Sequence, residues 1–158
     1  MELVLFIGIQ GSGKSSFYKE RFVDSHIRLN LDMLRTRHRE RILFEACIRA
    51  KQRVVVDNTN PTIRDRARYI GAAKQGGFRV IGYCFQSELK ECLKRNQLRP
   101  AKQLIPVEGV LATFHRLEPP RKAEGFDELY HVRIAGPGSF QVRPFVEVAE
   151  KKASEIPG

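Results

Sequence analysis

The chain opens on a continuous apolar run, Leu3-Val4-Leu5-Phe6-Ile7. A run without polar alternation predicts a strand buried on both faces, as in a parallel sheet. Four later segments read as strands: His26–Asn30, the valine run Arg53–Val56, the alternating Arg79–Phe85, and Leu129–Ile134. Between them the apolar positions fall at helical spacing. Ser15–Phe22 predicts a helix, and Leu31–Arg37 a turn or short helix. A longer helix is expected over His38–Lys51, with Ile42, Phe44, Ala46 and Ile48 on its apolar face. Pro61 suits the first turn of a helix that runs to Lys74 and stops at Gly76-Gly77. Ser87 is the expected cap of a helix over Glu88–Leu98, and Val107–Arg116 returns to helix before Pro119-Pro120. Strands alternating with helices predict an α/β fold: a central parallel sheet of about five strands, flanked by helices on both faces.

Composition bounds this picture. A chain of 158 residues fits one domain that buries a core without disulfides or a structural metal. Cys47, Cys84 and Cys92 form no C-x-x-C pair and show no zinc-ligand spacing with the four histidines, so reduced core cysteines are expected. No segment is long and apolar enough to span a membrane, and the short first run leads straight into a glycine loop rather than a cleavage site. A cytoplasmic protein without membrane contact is the expectation. The net charge of +10 favours a polyanionic partner, nucleic acid among them; a general solvated basic surface is the alternative, and composition alone does not decide.

Residues 1–134 are expected to form the domain, with a lid at about 94–106 that takes in a basic connector bracketed by Pro100 and Pro106. Residues 135–158 form a C-terminal tail of unassigned function. In it Phe140, Val142, Phe145 and Val148 are apolar enough to pack back, and Lys151–Gly158 is expected to fray.

Gly8-Ile9-Gln10-Gly11-Ser12-Gly13-Lys14-Ser15 fits G-x-x-x-x-G-K-[ST], the P-loop, between a predicted strand and a predicted helix. Polyphosphate must be wrapped by backbone N–H groups, and glycine lets the backbone approach that closely. The following helix turns its positive end to the anion. Gly11, Ser12, Gly13, Lys14, Ser15 and Ser16 are the expected ATP contacts. Lys14 reaches the β- and γ-phosphates, and Ser15 ligates Mg²⁺.

Chemistry in an open parallel sheet lies beyond the carboxyl ends of its strands. Asp32 and Asp57 stand there. Asp32 reads either as a helix N-cap or as a base, with Arg35 nearby as a cation for the phosphoryl group. Asp57 closes the valine run as a Walker B aspartate would. It either holds Mg²⁺ through water or orients an arginine; an Asx turn in Asp57-Asn58-Thr59-Asn60 is the alternative. Arg95 and Arg99 share a helical face in a basic stretch, as a lid over triphosphate or as a solvated helix end. Arg37, Arg39 and Arg41 form either a phosphate-tracking run or an exposed helix face.

These segments together resemble the kinase domain of 5′-hydroxyl polynucleotide kinases, within the small P-loop kinases. The resemblance rests on Gly8–Ser15, on Asn30-Leu31-Asp32-Met33-Leu34-Arg35 as an N-x-D-x-x-R segment, on Asp57-Asn58-Thr59-Asn60-Pro61 followed by Arg66-Ala67-Arg68-Tyr69, and on Arg95-Asn96 with Arg99. Glu118-Pro119-Pro120 and Ala123–Phe126 add a weaker match. It spans roughly Leu3 to Ile134. It implies a P-loop kinase fold with the P-loop strand in mid-sheet and a short helical lid. It implies ATP and Mg²⁺ as cofactors, Asp32 as general base, and Lys14, Arg35 and Arg99 as catalytic. Arg95 and Arg99 would close over the phosphates, and Ser15 with Asp57, the latter through water, would hold the metal or, for Asp57, support Asp32 and Arg35. Arg35 would contact the phosphoryl group or the acceptor, a 5′ end of DNA or RNA, and on the reading of the cationic run Arg37 and Arg39 would meet the acceptor with it. Larger members carry phosphatase, ligase or targeting modules, so repair or ligation proteins are the expected partners. Two other readings use the same residues: a kinase of another acceptor, such as a metabolite, antibiotic, sugar nucleotide or aminoacyl-RNA, and a nucleotide-dependent nucleic-acid-binding ATPase.

Overall fold

Side-chain alternation along the first strand sets the architecture. In β1 (Glu2–Ile7), Leu3, Leu5 and Ile7 point to one face of the sheet, and Val4 and Phe6 to the other; all five are fully buried. A strand apolar on both faces must be covered on both, at about 1.5–3 kcal/mol per large side chain buried. The computed structural model describes residues 1–147. Val148 and Lys151–Gly158, assigned above to packing and fraying, lie outside the described residues.

The remaining elements are α1 (Lys14–Arg21), β2 (Ile27–Leu29), α2 (Leu31–Leu34), α3 (Arg37–Ala50), β3 (Val54–Val56), α4 (Ile63–Gln75), β4 (Arg79–Phe85), α5 (Leu89–Gln97), α6 (Val107–Arg116), β5 (Glu128–Gly136) and β6 (Ser139–Pro144). The sheet order is β2-β3-β1-β4-β5-β6. The first five strands are parallel, and β1 lies between β3 and β4, in mid-sheet. The sixth pairs antiparallel with β5. On one face Phe44, Tyr69, Ile70 and Ala73 from α3 and α4 cover Leu3, Leu5, Val54 and Val56. On the other, Phe17, Tyr18 and Phe22 from α1 and the turn after it cover Val4, Phe6 and Val55.

The expected α/β sheet is present, with local differences. The α3 face turned inward is Phe44 and Cys47 with buried Glu40, while Ile42 and Ala46 are exposed. Positions 40, 44 and 47 repeat at helical spacing; 42 and 46 fall on the opposite side. Thr62, not Pro61, opens α4: its hydroxyl accepts from Asp65 N, and Pro61 lies one residue outside. Ser87 does not cap α5. Its Oγ accepts from Ile9 N at 3.1 Å and bonds Phe85 O, and Glu88 stands at the cap without a side-chain bond. The three cysteines are free; Cys47 and Cys92 are buried. No helix among the described residues is long and apolar enough to cross a membrane.

Beyond Ile134, β6 brings Phe140 against Phe17, with ring centroids 5.2 Å apart. Phe140 and Val142 join one core cluster and Phe145 the other.

Candidate functional site

The P-loop is shaped by two left-handed glycines, Gly11 (φ 80°) and Gly13 (φ 98°). A Cβ on Gly11 would stand 2.4 Å from the Cys92 carbonyl oxygen, so only glycine allows α5 to pack this close. Gly8 N donates to Thr59 O and Ser12 Oγ to Ile9 O, which fixes the loop's entry and floor. Gly13 caps α1 without any side-chain acceptor. The first N–H groups of α1 are left for an anion.

Lys14 folds back over its own loop. Its ammonium donates to Gly8 O at 2.9 Å and Ile9 O at 2.8 Å. Loss of hydration lowers its pKa to about 8; the charge of Asp57 opposes that shift, that of Arg99 adds to it, and Asp32 opposes it more weakly. Asp57, Arg99 and Asp32 therefore all bear electrostatically on Lys14, so the structure brings together groups far apart in sequence. Ser15 and Ser16 are exposed on the first turn of α1.

The segment Asp57-Asn58-Thr59-Asn60 works as a set of four anchors. Asp57, 1% exposed, accepts from Arg28 Nε at 2.7 Å, and its side chain makes no Asx-turn bond among the described residues. Asn58 accepts from Leu31 N at 3.0 Å and donates to Glu40 at 2.7 Å. Thr59 O holds Gly8 N, and Asn60 Nδ2 reaches Phe6 O at 2.8 Å. Buried Arg66 ties this floor to Glu124 by two bonds, at 2.8 and 3.1 Å, and bonds Asn60 O at 3.0 Å.

Asp32 is not the N-cap of α2. Asn30 has that role, accepting from Met33 N while its amide bonds Asp57 O. The Asp32 carboxylate is exposed and makes no hydrogen bond or ion pair among the described residues. Arg35 follows at φ 75°, exposed and outside any ion pair with Asp32 or Asp57. Of the expected acceptor run, Arg37 is engaged by Glu40 and by the Tyr69 hydroxyl at 2.9 Å, and Arg39 by Leu34 O at 3.2 Å. Both stay exposed, but their guanidinium groups also serve the fold. Burial and the Glu40 hydrogen bond push the Tyr69 hydroxyl well above its usual range, which keeps it a donor.

On the opposite side, Arg95 Nη1 bonds Gly11 O at 2.8 Å. Its helix is anchored rather than loose: Cys92 is fully buried with Ile9 and Val110, and Asn96 bonds both Ile105 O and Ile105 N. Arg99 lies half-buried in the turn that follows. A cleft of about 280 Å³ beside the P-loop is lined by Ser12, Gln86, Glu88, Glu91, Arg95, Arg133 and Ile134. A larger, mostly apolar cavity of about 440 Å³ adjoins it at Gln86 and Glu88 and extends around Phe85, Leu117 and Phe145.

The metal position can be tested on its donors. Arg28 donates through Nε to Asp57 Oδ2 and through Nη2 to Ser15 Oγ at 3.0 Å, so one guanidinium bridges the two expected ligands. A hydroxyl and a carboxylate on either side of a cation are hard oxygens suited to Mg²⁺. That ion keeps several waters and takes few protein ligands beside phosphate. The residues fit the ion. Arg28 itself escaped the sequence reading, because its partners lie 13 and 29 residues away and no motif marks it.

A glycine loop opening a helix at mid-sheet, with carboxylates on the neighbouring strand ends, defines a P-loop phosphate-binding domain with the architecture of the small P-loop kinases. A family model described as an AAA domain matches residues 3–120, and the chain belongs to that family. It is 27% identical over 137 residues to a bifunctional polynucleotide phosphatase/kinase of Schizosaccharomyces pombe; the match covers 83% of this chain and 33% of that protein. A putative bifunctional polynucleotide phosphatase/kinase of Acanthamoeba polyphaga mimivirus is 32% identical over 78 residues, 49% of this chain and 18% of that one. The chain thus spans a third or less of these relatives. Among solved structures, Kti12 of Chaetomium thermophilum in complex with ADP-AlF3 superposes with a TM-score of 0.64 at 14% identity, over 84% of this chain and 89% of that one. A gluconokinase of Sinorhizobium meliloti gives 0.60 at 18% identity, over 87% and 85%. At these identities the likeness is one of fold.

Proposed function

We propose that the protein transfers the γ-phosphoryl group of ATP to the 5′-hydroxyl end of a polynucleotide. The observation that carries this reading is Asp32. Its carboxylate is exposed, unpaired among the described residues, released from capping by Asn30, and close enough to Lys14 to act on its protonation. A carboxylate so placed can accept a proton from a hydroxyl arriving opposite the P-loop. The two polynucleotide phosphatase/kinase relatives and the net charge of +10 support a polynucleotide as the bearer of that hydroxyl.

The chain's residues divide the work. The P-loop amides and Lys14 hold the β- and γ-phosphates. Arg95 braces the loop through Gly11 O, and Arg99 adds positive charge beside Lys14. Asp32 takes the proton of the attacking hydroxyl, and Arg35 meets the acceptor's phosphate. When bound, Mg²⁺ withdraws charge from the transferring phosphoryl group, held by Ser15 and, through water, by Asp57.

A labelled-phosphate transfer assay tests the reading. With ATP and Mg²⁺, 5′-hydroxyl DNA or RNA oligonucleotides are expected to acquire label. No labelled product across a range of lengths and both sugars would overturn the polynucleotide acceptor, and ATP turnover without an acceptor product would point to an ATPase instead.

A further inference from the structure

Arg28 does not belong to the motifs, yet it joins three parts of the site. Its Nε bonds Asp57 Oδ2 at 2.7 Å, its Nη2 bonds Ser15 Oγ at 3.0 Å, and its guanidinium carbon lies 5.6 Å from the Tyr18 ring centroid. We propose that Arg28 is a resident cation of the metal position: divalent metal enters only by displacing it, and does so together with nucleotide phosphate. The inference rests on the reading of this site as a triphosphate site and does not depend on the acceptor.

The argument is one of shared lone pairs and like charge. Asp57 is 1% exposed, and a buried carboxylate needs a partner charge. Arg28 supplies it and donates to Asp57 Oδ2 and Ser15 Oγ, an oxygen on each of the two residues that would hold Mg²⁺. A guanidinium and a divalent ion compete for the lone pairs of those groups, and they repel each other at that range. The bare ion must also shed water to enter. A triphosphate changes the balance, since it brings negative charge and further oxygens for the metal, and it gives the displaced guanidinium an anion to meet. Tyr18 offers that guanidinium a fixed π face on the way, because its hydroxyl is tied to His26 O at 2.6 Å. Lys14 remains beside Asp57 as the second nearby cation. Metal and nucleotide affinities are therefore coupled, and the coupling is reciprocal.

The test measures Mn²⁺ binding to the nucleotide-free protein by electron paramagnetic resonance. Arg28→Gln is expected to bind Mn²⁺ about tenfold more tightly than the native chain, inside the span usual for coupled sites. Arg28→Lys keeps a charge but loses the fork, so its gain is in the same direction and smaller. Adding Asp57→Asn to Arg28→Gln should remove the gain. A non-hydrolysable ATP analogue should tighten Mn²⁺ more in the native chain than in Arg28→Gln. If Arg28→Gln loses its circular-dichroism signature of folding, Arg28→Lys alone decides. Mn²⁺ affinity unchanged in the folded variants, or a gain that survives Asp57→Asn, overturns the proposal. Failure of the polynucleotide reading would appear separately, as absent transfer by the native chain with this metal behaviour intact.

Discussion

The floor of the cleft, Asp57 to Asn60, and its rim, Asp32 to Arg35, lie side by side at the carboxyl ends of β3 and β2. On the floor each polar side chain or carbonyl is committed. Asp57 holds Arg28, Asn58 holds α2 and α3, Thr59 holds the P-loop, and Asn60 holds β1. On the rim Asp32 and Arg35 are exposed and make no ion pair with each other. The difference teaches a division of labour. Groups that position the phosphate site are spent on the fold, and the two rim groups Asp32 and Arg35 are kept free of it, unlike Arg37 and Arg39, so floor and rim should fail differently when altered.

Asp32→Ala is the sharpest way to break the comparison. Transfer to a 5′-hydroxyl oligonucleotide is expected to fall about 10²–10⁴-fold, the usual contribution of a general base. Urea unfolding should move by no more than about 0.5 kcal/mol, as for other exposed sites. A variant that loses stability along with activity would place Asp32 on the floor. The converse is Arg66→Ala. That guanidinium is fully buried, and its loss leaves Glu124 and Asn60 O without their cation, at a cost of about 3–5 kcal/mol. Equilibrium unfolding reads it directly, and near-native stability would show that the floor is not held from beneath.

The pH response of Lys14 sharpens the comparison next. Its native pKa of about 8 lies below the ordinary 10.5. Between those values the unfolded chain keeps a proton that the native chain has released, so this group makes stability rise with pH across that window. Bound polyphosphate favours the ammonium and raises the pKa again. Nucleotide binding above about pH 8 is then expected to take up a proton, with affinity falling by about tenfold per pH unit. Calorimetry in buffers of different ionisation enthalpy counts the proton, and none taken up at about pH 9 would remove Lys14 from the phosphate site. The smallest effect concerns the hinge between the regions. Asn30→Ala loses both the cap on Met33 N and the bond to Asp57 O, at about 0.5–2 kcal/mol. It should lower the rate of transfer more than it weakens ATP binding, and equal losses would show that α2 does not position the rim.

The floor was more legible in the sequence than its wiring. Leu3–Ile7, the valine run and the glycine loop announce themselves, because an apolar run and a positive-φ turn leave few other conformations. Arg79–Phe85 and Val107–Arg116 emerge at the boundaries that the sequence predicts. Arg28 and Glu40 were not legible. A charged residue inside the fold is satisfied by partners distant in sequence, and hydropathy marks it as surface. The same blindness put Ile42 and Ala46 on the buried face of α3, since the Glu40 carboxylate bonded to Asn58 and Tyr69 occupies the place an apolar side chain would. β6 escaped although Ser139–Pro144 alternates polar and apolar, because Gly136-Pro137-Gly138 before it and Pro144 at its end read as loop signals. For the rim, Asp32 and Arg35 could be marked by motif spacing, but their freedom from partners is a property of three dimensions.

Asn96 grips Ile105 at both its N–H and its carbonyl. The chain between them is a closed ring whose ends are held whatever it contains, and Leu98 within it is 86% exposed. Such a ring is an exchangeable cassette. Apart from Arg99, whose charge bears on Lys14, its length and sequence can drift while the P-loop beneath keeps its shape, because ring closure costs little more for each added residue. A single asparagine thereby separates a segment whose Arg99 bears on the site from the P-loop that must stay constant.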